Sequence, residues 1–329
     1  MGRECADGRG ARVSGRVDVG VRPVVERAGP EAARGRTPSQ LAWGRFRRDR
    51  VAVASVAVLA GIAVFALLAP LWAHLTGHPY DRTFPETGLD VAGQPRGPGA
   101  EFPLGADQLG RDVLVRAAYG TRVSLVVGVC AALLATVAGT AVGTLAGFAG
   151  GAVDAVLARL MDVTLALPYL LVAIMLATTF RPASAAAGLA LTVLVIAFFS
   201  VAASGRVIRG QVLALRRREF IEASRALGSS DARIMVADVL PNLSAQVTVL
   251  ASVQIPAAIV FEATLSFLGA GVPPPVPSLG SMLGEGSEVF RSAWWLLGVP
   301  GALLLLVTLA FNLIGDGIRD ALDPRGGGW

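Results

Sequence analysis

The chain has 329 residues, 53% hydrophobic and only 16% charged, with a mean hydropathy of +0.60. That balance excludes an ordinary soluble domain and fits an integral membrane protein. The net charge is +5 and all 29 basic residues are arginine. No aromatic-interleaved basic patch accompanies them, so no nucleic-acid partner is expected.

The arginines crowd the start of the chain. Residues 1–40 are rich in Gly, Arg and Pro, show no apolar period and read as a disordered tail, bounded here at 1–44. Trp43 and Phe46, with Arg45, Arg47, Arg48 and Arg50, form a basic, aromatic approach to the membrane. An uncharged stretch at 51–72 follows. At about 1.5 Å per residue it is long enough to cross a hydrocarbon core of about 30 Å. It lies too far from the start for a signal peptide, and the arginines before it set the N-terminus in the cytoplasm. Of the two cysteines, Cys5 falls in the tail and Cys130 in a later span, so no disulfide framework is expected. His74 and His78 are too few for a metal site and read as interfacial residues.

Residues 73–110 are a Pro/Gly-rich external loop. It ends in Leu104-Gly105-Ala106-Asp107-Gln108-Leu109-Gly110-Arg111-Asp112-Val113-Leu114, followed by Arg116, Tyr119-Gly120 and Arg122-Val123-Ser124-Leu125. By itself this is a glycine-punctuated turn entering an amphipathic helix. A phosphate cradle is disfavoured, because there is no Gly-Lys-Ser/Thr and no preceding strand.

Further spans are expected at 125–149, 163–180, 185–203, 243–268 and 294–314, with a short inward loop from Gly150-Gly151 to Asp162 that contains Arg159. Six crossings from a cytoplasmic N-terminus return the C-terminus to the cytoplasm and place 216–242 there as well.

That segment, RRREFIEASRALGSSDARIMVADVLPN, is the longest polar interruption in the apolar second half. Phe220, Ala223 and Leu227 share a helical face. Gly228 sits where a helix ends, Ser229-Ser230 offer an N-cap, and Asp231 falls in the first turn of a second short helix. Pro241 is expected to push Leu240 out of the α region and end that helix. An ordinary basic cytoplasmic loop is the simpler reading of the same pattern.

Glu262 lies inside the fifth span. Acidic and basic groups at the bilayer centre cost roughly 2.5–3.5 kcal/mol on insertion scales, so it should face protein or water. It reads either as a pathway or gate residue, or as a helix-end carboxylate satisfied by a neighbouring subunit. Gln246, Gln254 and Pro256 in the same span also point towards protein or water.

Several of these segments resemble the permease subunits of ATP-binding-cassette importers, in the second permease type of the dipeptide/oligopeptide/nickel branch. Glu222-Ala223-Ser224, Gly228 and Leu240-Pro241 resemble the family's EAA loop, with Ser224 for the usual alanine and Asp238 where this branch usually carries histidine. The stretch around Gly110-Arg111-Asp112 is similar to its GTDxxGRDxxSRxxYGxRxSL signature, with Ala106 for threonine and Val115 for serine. The segment from Gly150 to Asp162, the Glu262-Ala263 stretch through Gly269, and the run from Asn312 to Arg325 match other family segments. The resemblance covers about 45–325.

It implies an all-α integral membrane protein with six transmembrane helices in the type I importer permease fold. A first helix and external loop would occupy 45–120, a permease core 121–316, and a cytoplasmic tail 317–329. It implies a bacterial plasma or inner membrane, a second permease subunit forming a heterodimer, two ATPase subunits or domains, and an extracytoplasmic binding protein. ATP and Mg would belong to the ATPases. This chain would have no cofactor or metal and no catalytic residue, and no Walker A loop is present. Peptides lead the implied ligands, with nickel or glutathione-like ligands beside them. Two readings from other classes are an ion-gradient-driven secondary transporter, for which Glu262 is the one evident coupling group, and a non-transporting membrane scaffold.

Overall fold

The computed structural model describes residues 38–180 and 184–323. The expected tail over 1–37 and the residues from 324 onward lie outside the described residues. Pro38–Phe46 forms helix α1, so the last part of the tail assigned to 1–44 is helical. Next come α2 (Arg50–Leu67), α3 (Ala69–Thr76) and the short α4 (Pro85–Gly88). The 37-residue α5 (Val113–Ala149) follows, then α6 (Gly151–Ala166), α7 (Tyr169–Thr179) and α8 (Ala185–Leu215). The rest is α9 (Glu219–Ala226), α10 (Asp231–Ile234), a π-helical turn (Met235–Val239), α11 (Leu240–Phe267), α12 (Leu279–Ser287) and α13 (Trp295–Leu322). No strand is present among the described residues, only two isolated bridges.

Polar caps fix where the long helices begin. The Asp49 carboxylate accepts from the N–H groups of Val51 and Ala52, and Asp112 accepts from Leu114. Each satisfies donors that the first helical turn leaves open. Among the described residues, five helices are long and apolar enough to cross a membrane, six if the bent pair α6–α7 counts as one. That pair corrects the expected straight span at 163–180. Its axis turns by 84° where Leu167 is extended, at ψ 137°, before Pro168. The proline ring disfavours the α conformation in the residue ahead of it. The expected inward loop at 150–162 is the body of α6, and the span at 185–203 runs on to Leu215. The expected tail at 317–329 is helical to Leu322.

The centre of the bundle is the α5–α8 pair. An added Cβ on Gly139 would lie 2.4 Å from Ser204 Cβ, on Gly143 2.5 Å from the Gly205 carbonyl, and on Gly147 2.8 Å from Val212 Cβ. Small residues at every fourth position thus let the two backbones meet, the packing that substitutes for hydrophobic collapse inside lipid. Since α5 is 37 residues long, its ends lie about 55 Å apart at 1.5 Å per residue. Residues 77–112 gather with α12 at one end, and 216–239 gather at the other, against Phe148.

Candidate functional site

At the Phe148 end, α8 runs without interruption into the turn before α9. Helix α9 closes with Gly228 at φ +81°. There the Ser229 N–H donates to the Ser224 carbonyl over 3.1 Å and the Gly228 N–H to that of Arg225 over 2.9 Å. This paired closure needs a left-handed residue after the cap, which glycine supplies without strain. Ser230 takes the N-cap position of α10, yet its side chain makes no capping hydrogen bond.

The inward face of this elbow is not the one that Phe220, Ala223 and Leu227 share. Ile221 and Ile234 are fully buried with Val239 and Leu243 against Phe148, Ile208 and Val212. Phe220 and Leu227 are 42% and 86% exposed, and Ala223 is exposed as well. The apolar stripe of Phe220, Ala223 and Leu227 is therefore an uncovered surface, beside exposed Glu222 and Val236, while Ser224 is half-buried. The Arg225 guanidinium lies 5.2 Å from the Phe148 ring centroid and 3.9 Å from an Asp231 carboxylate oxygen, bracing the elbow on α5.

The chain does not leave the helix at Pro241. Leu240 is helical at φ −59°, ψ −43°, and the residues from Asp231 to Phe267 form one continuous segment. The reason is the π turn. The Leu240 N–H bonds to the Met235 carbonyl, so the ladder changes register at the proline, where a missing donor is least costly. Asp238 sits in this turn, half-buried, and its carbonyl accepts from the Asn242 amide over 2.6 Å. Leu240 and Pro241 are exposed.

At the opposite end, the 105–112 loop folds around Asp107. One carboxylate oxygen accepts from the N–H groups of Leu109 and Arg111, both over 2.9 Å. Gly110, at φ +74°, passes so close to Phe84 that a Cβ would lie 2.4 Å from its carbonyl oxygen. Arg111 bonds Asp107 over 2.7 Å and Glu285 over 2.8 Å. Arg116 reaches Asp107 and grips Glu285 with both terminal nitrogens, over 2.6 and 2.9 Å. Sequence reasoning missed Glu285, which lies on α12; its only local signal was an acidic residue inside a short glycine-rich helix.

Asp112 caps α5 and meets His78 Nδ1 at 3.3 Å, with the His78 ring stacked on Phe102. Burial pushes the Asp112 carboxyl upward, and the Leu114 N–H and His78 pull it back. The structure thus brings Gly110, Arg111 and Asp112 into one folded loop. It also encloses His78, which is buried.

Glu262 is fully buried. The Ser124 hydroxyl of α5 donates to it over 2.6 Å and the Ser266 hydroxyl over 2.7 Å. The expected partner, a neighbouring subunit, is corrected, since both hydroxyls belong to this chain, while the position near a helix end holds, with α11 closing at Phe267. Beyond it, α7, residues 266–274 and α12 line an open cavity of about 720 Å³, with Glu285 and Glu288 in its wall. No grouping of His, Cys, Asp or Glu suited to a metal occurs among the described residues.

This bundle belongs to a known transporter class. The chain is a member of the family described as the binding-protein-dependent transport system inner membrane component, whose model matches residues 139–326. Residues 37–92 match the N-terminal transmembrane domain of oligopeptide transport permease C. The chain is 43% identical over 293 residues to the oligopeptide transport system permease protein OppC of Escherichia coli, covering 88% of this chain and 92% of that one. It is 38% identical to the di/tripeptide transport system permease protein DppC of Pseudomonas aeruginosa, covering 88% and 93%. It is also 38% identical to the glutathione transport system permease protein GsiD of Pectobacterium atrosepticum, covering 88% and 92%. It is a permease subunit of an ATP-binding-cassette importer, with a multi-pass membrane body.

Proposed function

We propose that this subunit carries peptides, and that it couples to its ATPase partners through the α9–α10 elbow. The observation that carries the coupling reading is the two-sided elbow. Its inner face, Ile221 and Ile234, is locked into the bundle, while its outer face leaves Phe220, Glu222, Ala223 and Leu227 uncovered. An exposed apolar patch rimmed by charge marks a protein contact. The peptide assignment rests on relatives named for oligopeptide, di/tripeptide and dipeptide transport.

In this reading the elbow is a stiff lever. Closure of a pair of ATPases presses on α9, and the continuous α10–π–α11 segment carries the displacement into the membrane, a rigid-body switch. A second permease completes the path, and an extracytoplasmic binding protein docks at the 105–112 end. Glu262 acts as a structural node, because its carboxylate is occupied by hydroxyls of this chain. Both termini lie on the ATPase side, as the arginine cluster at 45–50 favours. ATP-driven uptake of labelled di- and tripeptides into proteoliposomes carrying the complete complex tests the reading. Uptake that ignores ATP and follows an ion gradient would contradict it.

A further inference from the structure

Helix α12 is held at both ends by polar contacts to other parts of the chain. At its start, Ser278 and Ser281 cap each other and the Leu279 N–H approaches the Ser124 hydroxyl at 3.4 Å. Here Gly120 and Gly280 allow contact so close that a Cβ on Gly280 would lie 2.2 Å from the Ala263 carbonyl oxygen. In its last turn, the Gln108 amide donates to the Glu285 carbonyl over 2.9 Å, and the Glu285 carboxylate takes the Arg116 fork and Arg111. The side chains of Arg116 and Asp107 are 3% and 4% exposed, so water competes little for the bond between them, while the Glu285 side chain is 39% exposed and keeps one side open to solvent. Two arginines face two carboxylates, so the cluster is neutral and acts through geometry and not through a long-range field. Glu285 belongs to this cluster and also to the wall of the cavity of about 720 Å³.

We infer that Glu285, gripped by Arg111 of the loop and by Arg116 of α5, which also holds Asp107, makes the 105–112 loop and α12 a single moving body, so that docking of a binding protein on the loop repositions the wall of the cavity. This rests on the reading of that end as the docking face. Arg116 is then a positioning residue. Its planar fork fixes the angle of α12 through two parallel bonds, which a lysine, as a point charge, cannot do. The path from loop to cavity wall is a contiguous set of packed and charged groups, and coupling along it requires that α12 take two discrete positions, which the loop's docking state selects.

The test uses the complete complex in lipid nanodiscs. Hydrogen exchange is followed at 105–112 and 279–287 with and without the peptide-loaded binding protein, alongside ATP hydrolysis. In the unmodified complex both segments are expected to change their exchange together on docking. In Glu285→Gln, and in Arg116→Lys, the loop still responds and α12 does not. Stimulation of hydrolysis by the binding protein falls roughly tenfold, the size of a typical coupling between sites. Basal hydrolysis and co-purification of the ATPases stay near those of the unmodified complex, which separates positioning from a loss of fold. If Arg116→Lys fails to assemble, the unmodified complex decides alone: a loop that responds while α12 stays unchanged overturns the inference. Full stimulation in Glu285→Gln overturns it too. If neither segment responds while stimulation persists, the docking reading itself is wrong and the inference goes with it.

Discussion

The Ser124 hydroxyl donates to the Glu262 carboxylate over 2.6 Å, tying α5 to α11 across 138 positions of sequence. With Ser266 as the second donor, the carboxylate serves as a shared acceptor at a fully buried site. Glu262→Gln keeps one acceptor oxygen, and Glu262→Leu keeps none. Removing the acceptor strands two buried hydroxyls, at about 1–3 kcal/mol for an unmet group. Thermal unfolding of the purified complex should therefore rank unmodified above Gln above Leu. Equal stability for all three would show that the node is not structural.

The glycines between α5 and α8 give a second prediction. Gly143→Leu places a branched side chain where even a Cβ would sit 2.5 Å from the Gly205 carbonyl oxygen. Overpacking of this kind costs about 1–3 kcal/mol. Gly210 has open space around its Cβ and lies in the same helix as Gly205, so Gly210→Leu is the matched control. Loss of folded complex in the first and not the second, measured by size exclusion after heating, is the expected result.

Topology is tested with single cysteines in a background lacking Cys5 and Cys130. Gln94→Cys lies in the exposed part of the loop before α5, and Arg47→Cys beside α2. A membrane-impermeant thiol reagent on intact cells should label position 94 and spare position 47. The reverse pattern would invert the orientation.

Much of this molecule was legible in its residues. The helix-ending Gly228, the glycine-punctuated turn into α5 and the uncharged span before residue 73 follow from local chemistry alone, since each depends on close neighbours in sequence. What failed depended on context. Pro168 was a visible breaker, yet it was hidden inside an apolar run and read as part of one span. Pro241 looked like a stop because the π turn that absorbs it has no residue signature. Which side of α9 is buried could not be read from the helix itself, because Ile221 and Phe220 are both apolar and only Phe148, Ile208 and Val212 decide between them. Glu285 was out of reach, since its partnership with Arg116 spans 169 positions.

The elbow at Gly228 gives the most direct test of coupling. Its φ of +81° is left-handed, and the space around an added Cβ is empty, so strain and not collision decides the outcome. Asparagine tolerates that conformation, whereas a branched residue costs roughly 1–2 kcal/mol or more. The decisive measurement is ATP hydrolysis and peptide uptake on one proteoliposome preparation of the complete complex, for Gly228→Asn and Gly228→Val. The account predicts near-normal uptake for Asn. For Val it predicts normal insertion, a steep loss of uptake, and hydrolysis that no longer responds to the loaded binding protein. Full uptake and full stimulation in Gly228→Val would contradict it, and would reduce residues 216–242 to a basic loop.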